Sequence, residues 1–246
     1  VKHTTKLEQI RSRPDRIPAH VGVIMDGNRR WAREHHLPLK EGYVKGAEKS
    51  EELFTWALDA GVRELSIWVW STENFNRDQG QVRFMMNLFS RYIKKALKDQ
   101  TFRDKMARVR FIGRVDLMPN DIQKLAHELE EETAHFDRLT INVCMAYGGR
   151  DEIVQAAREI AREVKKGTLS PDAIDEKLFF RYLAYQGVEP DLIIRTSGEE
   201  RTSGFLLWHT AYSEWYFEPK YMPALTVDDF YTAILDYQGR ERRFGA

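Results

Sequence analysis

Short apolar runs of strand length alternate along this chain with longer stretches whose apolar residues recur at helical spacing. No other feature restricts the fold as much. A strand, a helix and a second strand form a parallel pair with the helix laid on the sheet face, so repeating the unit builds an α/β sandwich. His20 to Met25 (HVGVIM), Leu65 to Trp70 (LSIWVW), Val109 to Ile112, Leu139 to Tyr147, Asp191 to Ile194 and Phe205 to Trp208 read as buried strands. Their nearly unbroken apolar character suits strands covered on both faces. Between them, Leu53, Trp56, Ala57 and Ala60 predict a helix over 46–60 with Gly61 as its C-cap. Val82, Met85, Met86, Phe89, Ile93, Ala96 and Leu97 form a long helical stripe. Further helices are expected within 116–136, from about 150 to 165, and over 226–235, and Ser170-Pro171 opens one more as a cap followed by Pro at N1. The expectation is an α/β fold: a single domain over 20–239 with a mostly parallel central sheet flanked by helices. It is preceded by a polar, basic arm or helix over 1–19 and followed by a charged tail over 240–246.

Length and charge bound the function. A chain of 246 residues suits one large domain with a substantial core. Its 38 Lys and Arg balance 38 Asp and Glu, which argues against a generic nucleic-acid binder but leaves room for a local anion site. The single cysteine, Cys144, excludes an intrachain disulfide framework and points to a reducing, cytoplasmic compartment. No apolar run approaches the ~18 residues of a membrane span. No secretory signal is visible in a sequence that begins at Val1, and an upstream segment stays open. The six Trp, ten Tyr and thirteen Phe suit a core, a lipid-facing surface or an apolar ligand channel, and composition does not choose among these.

Four clusters can carry chemistry. Asp26-Gly27-Asn28-Arg29-Arg30 stands where the first strand ends, and ligands of open α/β sheets gather beyond the carboxyl ends of strands. A carboxylate there suits a hard cation, and the arginine forks suit phosphate; a solvated turn is the plain alternative. Arg195 to Gly204 also follows a strand, and its arginines, glycines and hydroxyls suit a phosphate cradle or a solvent loop. It contains neither GxxxxGK[ST] nor GxGxxG, so a nucleotide reading loses its usual support. Glu73, Asn74 and Arg77 lie in a polar loop able to close over a ligand. Glu214, before Trp215-Tyr216, is either salt-bridged or a metal ligand. No HExxH, CxxC or GxSxG occurs, so structural zinc and covalent nucleophilic catalysis have no candidate.

Taken together, the motifs resemble the cis-prenyltransferases, the undecaprenyl diphosphate synthase family. The carriers are HVGVIMDGNRRW over 20–31, STENFNR over 71–77, YGGR over 147–150, the stretch from Asp191 through Arg201 with Ser203, Phe205, Leu206, Trp208 and Glu214, and the tail over 240–245. The resemblance implies an enzyme that condenses isopentenyl diphosphate onto an allylic diphosphate starter, farnesyl or geranylgeranyl diphosphate, with Z stereochemistry. The implied product is a long-chain polyprenyl diphosphate, a glycosyl carrier lipid precursor. The family implies Mg²⁺, a homodimer, a hydrophobic tunnel and peripheral contact with membrane lipid. It casts Asp26, Asn74 and Arg77 as catalytic, with Asp26 holding Mg²⁺ and Asn74 assisting proton removal. Glu214 becomes a second Mg²⁺ ligand, supplied from the dimer partner's side. Asn28, Arg29 and Arg30 fall around the allylic diphosphate, and Gly27, Trp31, Tyr43, Ser71, Glu73 and Phe75 are further substrate-binding residues. Arg195, Arg201 and Ser203 hold isopentenyl diphosphate, and Arg243 and Gly245 reach across the dimer. Met85, Met86 and Phe89 are expected on the tunnel wall, with ordinary core packing as the alternative. The chain departs from many bacterial members at Tyr43 and Glu200, where they have His. It departs also at Leu39, where a basic residue is common, and at Arg29, where archaeal and eukaryotic members are similar to it. A non-catalytic partner subunit and a phosphohydrolase are the competing functions.

Overall fold

The computed structural model describes residues 5–240, apart from the side chains of residues 101 and 102. In chain order the elements are α1 (Lys6–Arg11), β1 (His20–Ile24), α2 (Asn28–Glu34), α3 (Leu39–Ala60), β2 (Glu64–Ser71), α4 (Gln79–Lys98), α5 (Thr101–Asp104), β3 (Ala107–Ile112), α6 (Asn120–Thr133), β4 (Leu139–Tyr147), α7 (Gly149–Lys165), α8 (Glu176–Phe180), β5 (Leu192–Arg195), β6 (Glu214–Phe217) and α9 (Val227–Gly239). The six strands form one sheet in the order β3-β4-β2-β1-β5-β6. Every pairing among them is parallel.

The alternating side chains of these strands feed two cores. On one face Val21, Val23, Leu65, Ile67, Ile141 and Ile194 meet Leu53, Trp56 and Ala57 of α3 and Phe230 and Ile234 of α9. Farther along that face, α4 and α6 bring Met85, Phe89, Ile93, Ile122 and Leu129 over Val109 and Met145. The opposite face carries Ile112, Cys144 and Ile193 under Tyr147, Tyr185, Phe205 and Leu206. Strands buried on both faces need the continuous apolar runs that the sequence has.

The chain moves outward from β1 through β2 and later returns to β1's other side as β5. The strand order therefore reverses between β1 and β5, and such a switch point opens a crevice beyond the carboxyl ends of the two strands. The register Ile24↔Arg195 sets Asp26 and Arg195 side by side at that crevice. A bulge in β2 matters too: Trp68 faces Cys144, but the register then jumps so that Trp70 faces Met145. One extra residue re-aims every side chain beyond it, and Trp70 joins the α4 core rather than the face bearing Trp68.

The structure corrects the sequence expectations in four places. Phe205 to Trp208 is not a strand but part of a run of turns, with Ser203 and Leu206 at φ of 50° and 43°. These residues are apolar because Phe205 stacks on Trp68, ring centroids 5.4 Å apart, and burial alone does not distinguish strand from turn. The last strand is instead the half-buried β6. α2 starts immediately after the Asp26-Gly27 turn, where the sequence suggested only the turn, and α3 begins at Leu39 rather than 46. Ser170 caps only the 3₁₀ turn Pro171–Ala173; the helix that follows, α8, has its own cap in Asp175.

Candidate active site

Asp26 leaves β1 into a tight turn. Gly27, at φ 95°, makes that turn, and a Cβ built there would sit 2.5 Å from the Tyr221 ring. The Asp26 carboxylate accepts the Gly27 N–H at 2.7 Å and an Arg195 Nη2–H at 3.0 Å, and Arg30 Nη2 lies 3.4 Å from its other side. Burial opposes ionisation of this carboxyl. The Arg195 hydrogen bond, the Gly27 N–H and the two guanidinium charges outweigh it and hold Asp26 below the usual carboxylate range. Arg195 is itself buried and donates from Nη1 to Ser203 Oγ at 2.9 Å and to the Arg201 carbonyl. Arg30 donates to Ser197 Oγ at 2.7 Å and pairs with Glu199 at 2.5 Å. Glu199 bridges from Arg30 to Arg201, and those two hydrogen bonds lower its pKa.

On the other rim, Arg77 donates to the Tyr43 hydroxyl at 3.1 Å and lies over the Trp70 ring at 5.4 Å. Burial, aided by the neighbouring Arg29 charge, lowers its pKa. A basic group in that position gains from an arriving anion. Asn74 and Ser71 form the capping box of the 3₁₀ turn Thr72–Asn76. Asn28 donates to the Met25 carbonyl at 3.2 Å, while its buried Oδ1 has no hydrogen-bond partner.

A cavity of about 710 Å³ joins this polar mouth to an apolar interior. Its walls are Tyr43, Ala47 and Phe54 of α3, Met85, Leu88, Phe89 and Ile93 of α4, and Ile67, Val109, Val143 and Met145 of the sheet. An elongated apolar chamber with a cluster of arginines at one end fits a molecule with an anionic head and a hydrocarbon tail.

A family model described as "Putative undecaprenyl diphosphate synthase" matches residues 24–245. The chain belongs to the cis-prenyltransferase family. A synthase from Thermococcus kodakarensis, named a geranylgeranyl-diphosphate-specific tritrans,polycis-undecaprenyl-diphosphate synthase, is 42% identical over 240 residues, covering 97% of this chain and 90% of its own. A Methanopyrus kandleri protein of the same name is 45% identical over 232 residues, covering 94% and 85%. The crystal structure of lavandulyl diphosphate synthase from Lavandula x intermedia, in complex with dimethylallyl diphosphate, superimposes with a TM-score of 0.91 at 33% identity, covering 94% of this chain and all of that one. The protein is therefore an enzyme of the prenyltransferase class, and the α/β fold with a parallel central sheet is the family's.

Of the residues singled out from sequence, the cavity wall brings together Asp26, Gly27, Asn28, Arg29, Arg30, Tyr43, Ser71, Asn74, Arg77, Arg195, Arg201 and Ser203. It does not include Trp31, which stacks on His35 at 4.3 Å. Nor does it include Glu73, which is exposed, or Phe75, which packs edge-on against Trp70 at 5.7 Å. Met85 and Phe89 line it, while Met86 turns into the core. Glu214 opens β6, and its register partner Leu192 lies at the opposite end of β5 from Arg195. There it pairs with Arg240 at 2.7 Å, away from Asp26 of its own protomer. Arg243 and Gly245 lie outside the described residues. Sequence reasoning placed Ser197 and Glu199 inside the 195–204 cradle but gave neither a role of its own. The signal available for Glu199 was its place between the two arginines of the cradle.

Cis-prenyltransferases work with a divalent metal. Among the described residues no group of three or more His, Cys, Asp or Glu side chains is placed to hold one. Asp26 alone still fits: Mg²⁺ is commonly held by one or two carboxylates, substrate phosphates and water rather than by an all-protein cage. Asp26 is held ionised at the mouth where a diphosphate would sit. Among the described residues no helix is long and apolar enough to cross a membrane.

Proposed function

We propose that this enzyme extends geranylgeranyl diphosphate by repeated condensation with isopentenyl diphosphate into a long-chain Z-polyprenyl diphosphate, the precursor of a glycosyl carrier lipid. Farnesyl diphosphate is the second candidate starter. The observation that carries this reading is a continuous cavity with arginines and Asp26 at one end and hydrocarbon walls at the other. The starter preference is supported by the relatives, which are named as geranylgeranyl-diphosphate specific. The working form is proposed as a homodimer in the cytoplasm with peripheral contact at a membrane face, which suits an increasingly apolar product.

In this reading the allylic diphosphate rests on Asn28, Arg29 and Arg30 at the start of α2, with its tail running down the chamber. Arg195, Arg201 and Ser203 hold isopentenyl diphosphate beside it. Its double bond attacks the allylic carbon as the carbon–oxygen bond breaks, and a proton then leaves the new chain. Arg30 and Arg77 stabilise the charge gathering on the departing diphosphate, a contribution that preorganised donors make without reorganising. Mg²⁺, when bound at Asp26, neutralises charge on diphosphate oxygens. Asn74 is assigned to assist proton removal. The apolar wall offers the allylic cation no nucleophile. Phe75 packs on Trp70, a wall residue, while Trp31 and Glu73 stand off the wall. Glu214, Arg243 and Gly245 are proposed to act across the dimer, through a tail over 240–246. Incubation with labelled isopentenyl diphosphate and each starter, with products resolved by mass and double-bond geometry, tests the reading. Phosphate release without elongation would replace it with a hydrolase, and inactivity with every starter would replace it with a non-catalytic subunit.

A further inference from the structure

A strap over 218–222 runs between the two halves of the polar mouth. Its carbonyls accept from the loop after β5: Glu218 from the Gly198 N–H at 2.9 Å and Lys220 from the Ser197 N–H at 2.7 Å. On the other side, the Met222 N–H donates to the Asp26 carbonyl at 3.0 Å. Tyr221 is the residue between the Lys220 carbonyl and the Met222 N–H, so its backbone is fixed from both loops. Met222 is buried, and Lys220 pairs with Asp229 of α9 at 2.7 Å, which ties the strap to the body of the fold. From this fixed point the Tyr221 side chain makes three contacts at α2. Its ring fills the space beneath Gly27, 2.5 Å from an ideal Cβ there. The Arg30 guanidinium carbon lies 5.5 Å from its ring centroid. Its hydroxyl donates to Glu34 Oε1 at 2.5 Å, and that bond raises the phenol pKa and keeps it a donor.

Glu34 is an unfavourable residue for its place. It closes α2, where a carboxylate meets the negative end of the helix dipole. It also stands four residues after Arg30, the spacing at which a basic and an acidic side chain pair along a helix. An unoccupied Glu34 would therefore compete for the Arg30 fork with Ser197, Glu199 and Asp26, the groups that turn it toward the mouth. The Tyr221 hydroxyl engages Glu34, and the Tyr221 ring lies against the guanidinium, a favourable place for a cation.

We propose that Tyr221 is a positioning residue for Arg30: its ring supports the guanidinium and its hydroxyl keeps Glu34 from drawing the fork away from the diphosphate. The proposal rests on the synthase reading above, in which Arg30 meets the allylic diphosphate. Tyr221 itself touches no reacting atom and acts through Arg30. Its removal should therefore be felt by the allylic substrate before isopentenyl diphosphate, whose cradle keeps its backbone bonds to the strap.

Steady-state kinetics with geranylgeranyl diphosphate and isopentenyl diphosphate, with Tm on the same samples, test it. Tyr221→Leu removes ring and hydroxyl and is expected to lower kcat/KM for the allylic substrate about tenfold, part of the ~10²–10³-fold that losing one preorganised donor costs. The KM for isopentenyl diphosphate is expected to stay within about twofold. Tyr221→Phe keeps the ring and releases Glu34, for an expected loss of about two- to threefold, the preference that an i,i+4 ion pair supplies. It remains informative if the Leu variant fails to fold. Glu34→Gln alone retains an acceptor for the hydroxyl and should leave the kinetics unchanged. Added to Tyr221→Phe it removes the competing charge and should restore the lost activity, and added to Tyr221→Leu it should restore part of it. A Tyr221→Leu enzyme with unaltered kinetics would overturn the proposal and leave the synthase reading standing. So would losses that follow Tm, fall on both substrates alike and do not respond to Glu34→Gln. Absence of any elongation by the unaltered enzyme would overturn the synthase reading itself.

Discussion

Gly42→Ala probes how the site is held. Inside an ordinary exposed helix, replacing Gly by Ala stabilises by about 1 kcal/mol. Gly42 is in the first turns of α3, where α3 packs on α2, and a Cβ there would sit 2.1 Å from the Asn28 carbonyl oxygen and 3.1 Å from Ala32 Cβ. The oxygen belongs to the backbone that carries Asp26 to Arg30, and it cannot rotate away. Ordinary contact begins near 3.4 Å, so α2 must retreat by about 1 Å. Overpacking of this kind costs ~1–3 kcal/mol. Set against the helix gain, the net loss is about 0–2 kcal/mol, or up to ~8 °C in Tm for a chain of this size. Catalysis should suffer far more, because a 1 Å misplacement of positioning groups costs about 10²-fold. Gly239→Ala, with nothing within 4 Å of its Cβ, serves as the control and should leave turnover unchanged. Measuring Tm and steady-state kinetics on both variants separates the terms. A Gly42→Ala enzyme that is both stabilised and fully active would refute the claim that α2 and α3 approach this closely and that the approach positions the site.

Asp26→Ala should lower kcat by about 10²-fold or more with the circular dichroism spectrum unchanged, since one preorganised electrostatic contact contributes ~2.7–4 kcal/mol at a transition state; near-normal turnover at saturating Mg²⁺ would remove Asp26 from the mechanism. Met85→Trp should shorten the products because Met85 lines the chamber, whereas Met86→Trp should lower Tm without shortening them because Met86 packs in the core; product masses and melting curves on the same samples decide. His209 is 1% exposed, and its burial pushes its pKa down to about 4, against the Tyr185 carbonyl hydrogen bond and with the nearby His20. Between pH 6.5 and 4 the unfolded chain therefore takes up a proton at His209 that the native chain refuses. Stability should fall with falling pH by up to ~1.4 kcal/mol per unit from this group. Denaturant titrations of His209→Gln across that window should show a correspondingly shallower fall, and an unaltered slope would mean that His209 is not buried neutral.

The parts of the fold legible in sequence are those where burial and periodicity agree. β1, β2 and β4 are apolar because both faces are covered, and the α4 stripe is apolar on one side because it roofs the chamber. Phe205 to Trp208 misled because Phe205 and Leu206 are buried as deeply as strand residues although they lie in turns, whereas β6 is half-buried at the sheet edge and led by a charge. α2 was hidden behind the turn that starts it. For the site, Asp26 and Arg195 were legible because residues just past strand ends converge in a parallel sheet. Strand order, and with it the distance of Glu214 from Asp26, is a property of the crossovers and leaves no trace in local pattern.

The most direct test of the central claim is the mass spectrum of products formed by the purified enzyme from geranylgeranyl diphosphate and excess isopentenyl diphosphate with Mg²⁺. The expected spectrum is a ladder of polyprenyl diphosphates rising by one isoprene unit per step, with Z geometry at every new double bond. Release of inorganic diphosphate or phosphate without that ladder, or a ladder of E geometry, would contradict it.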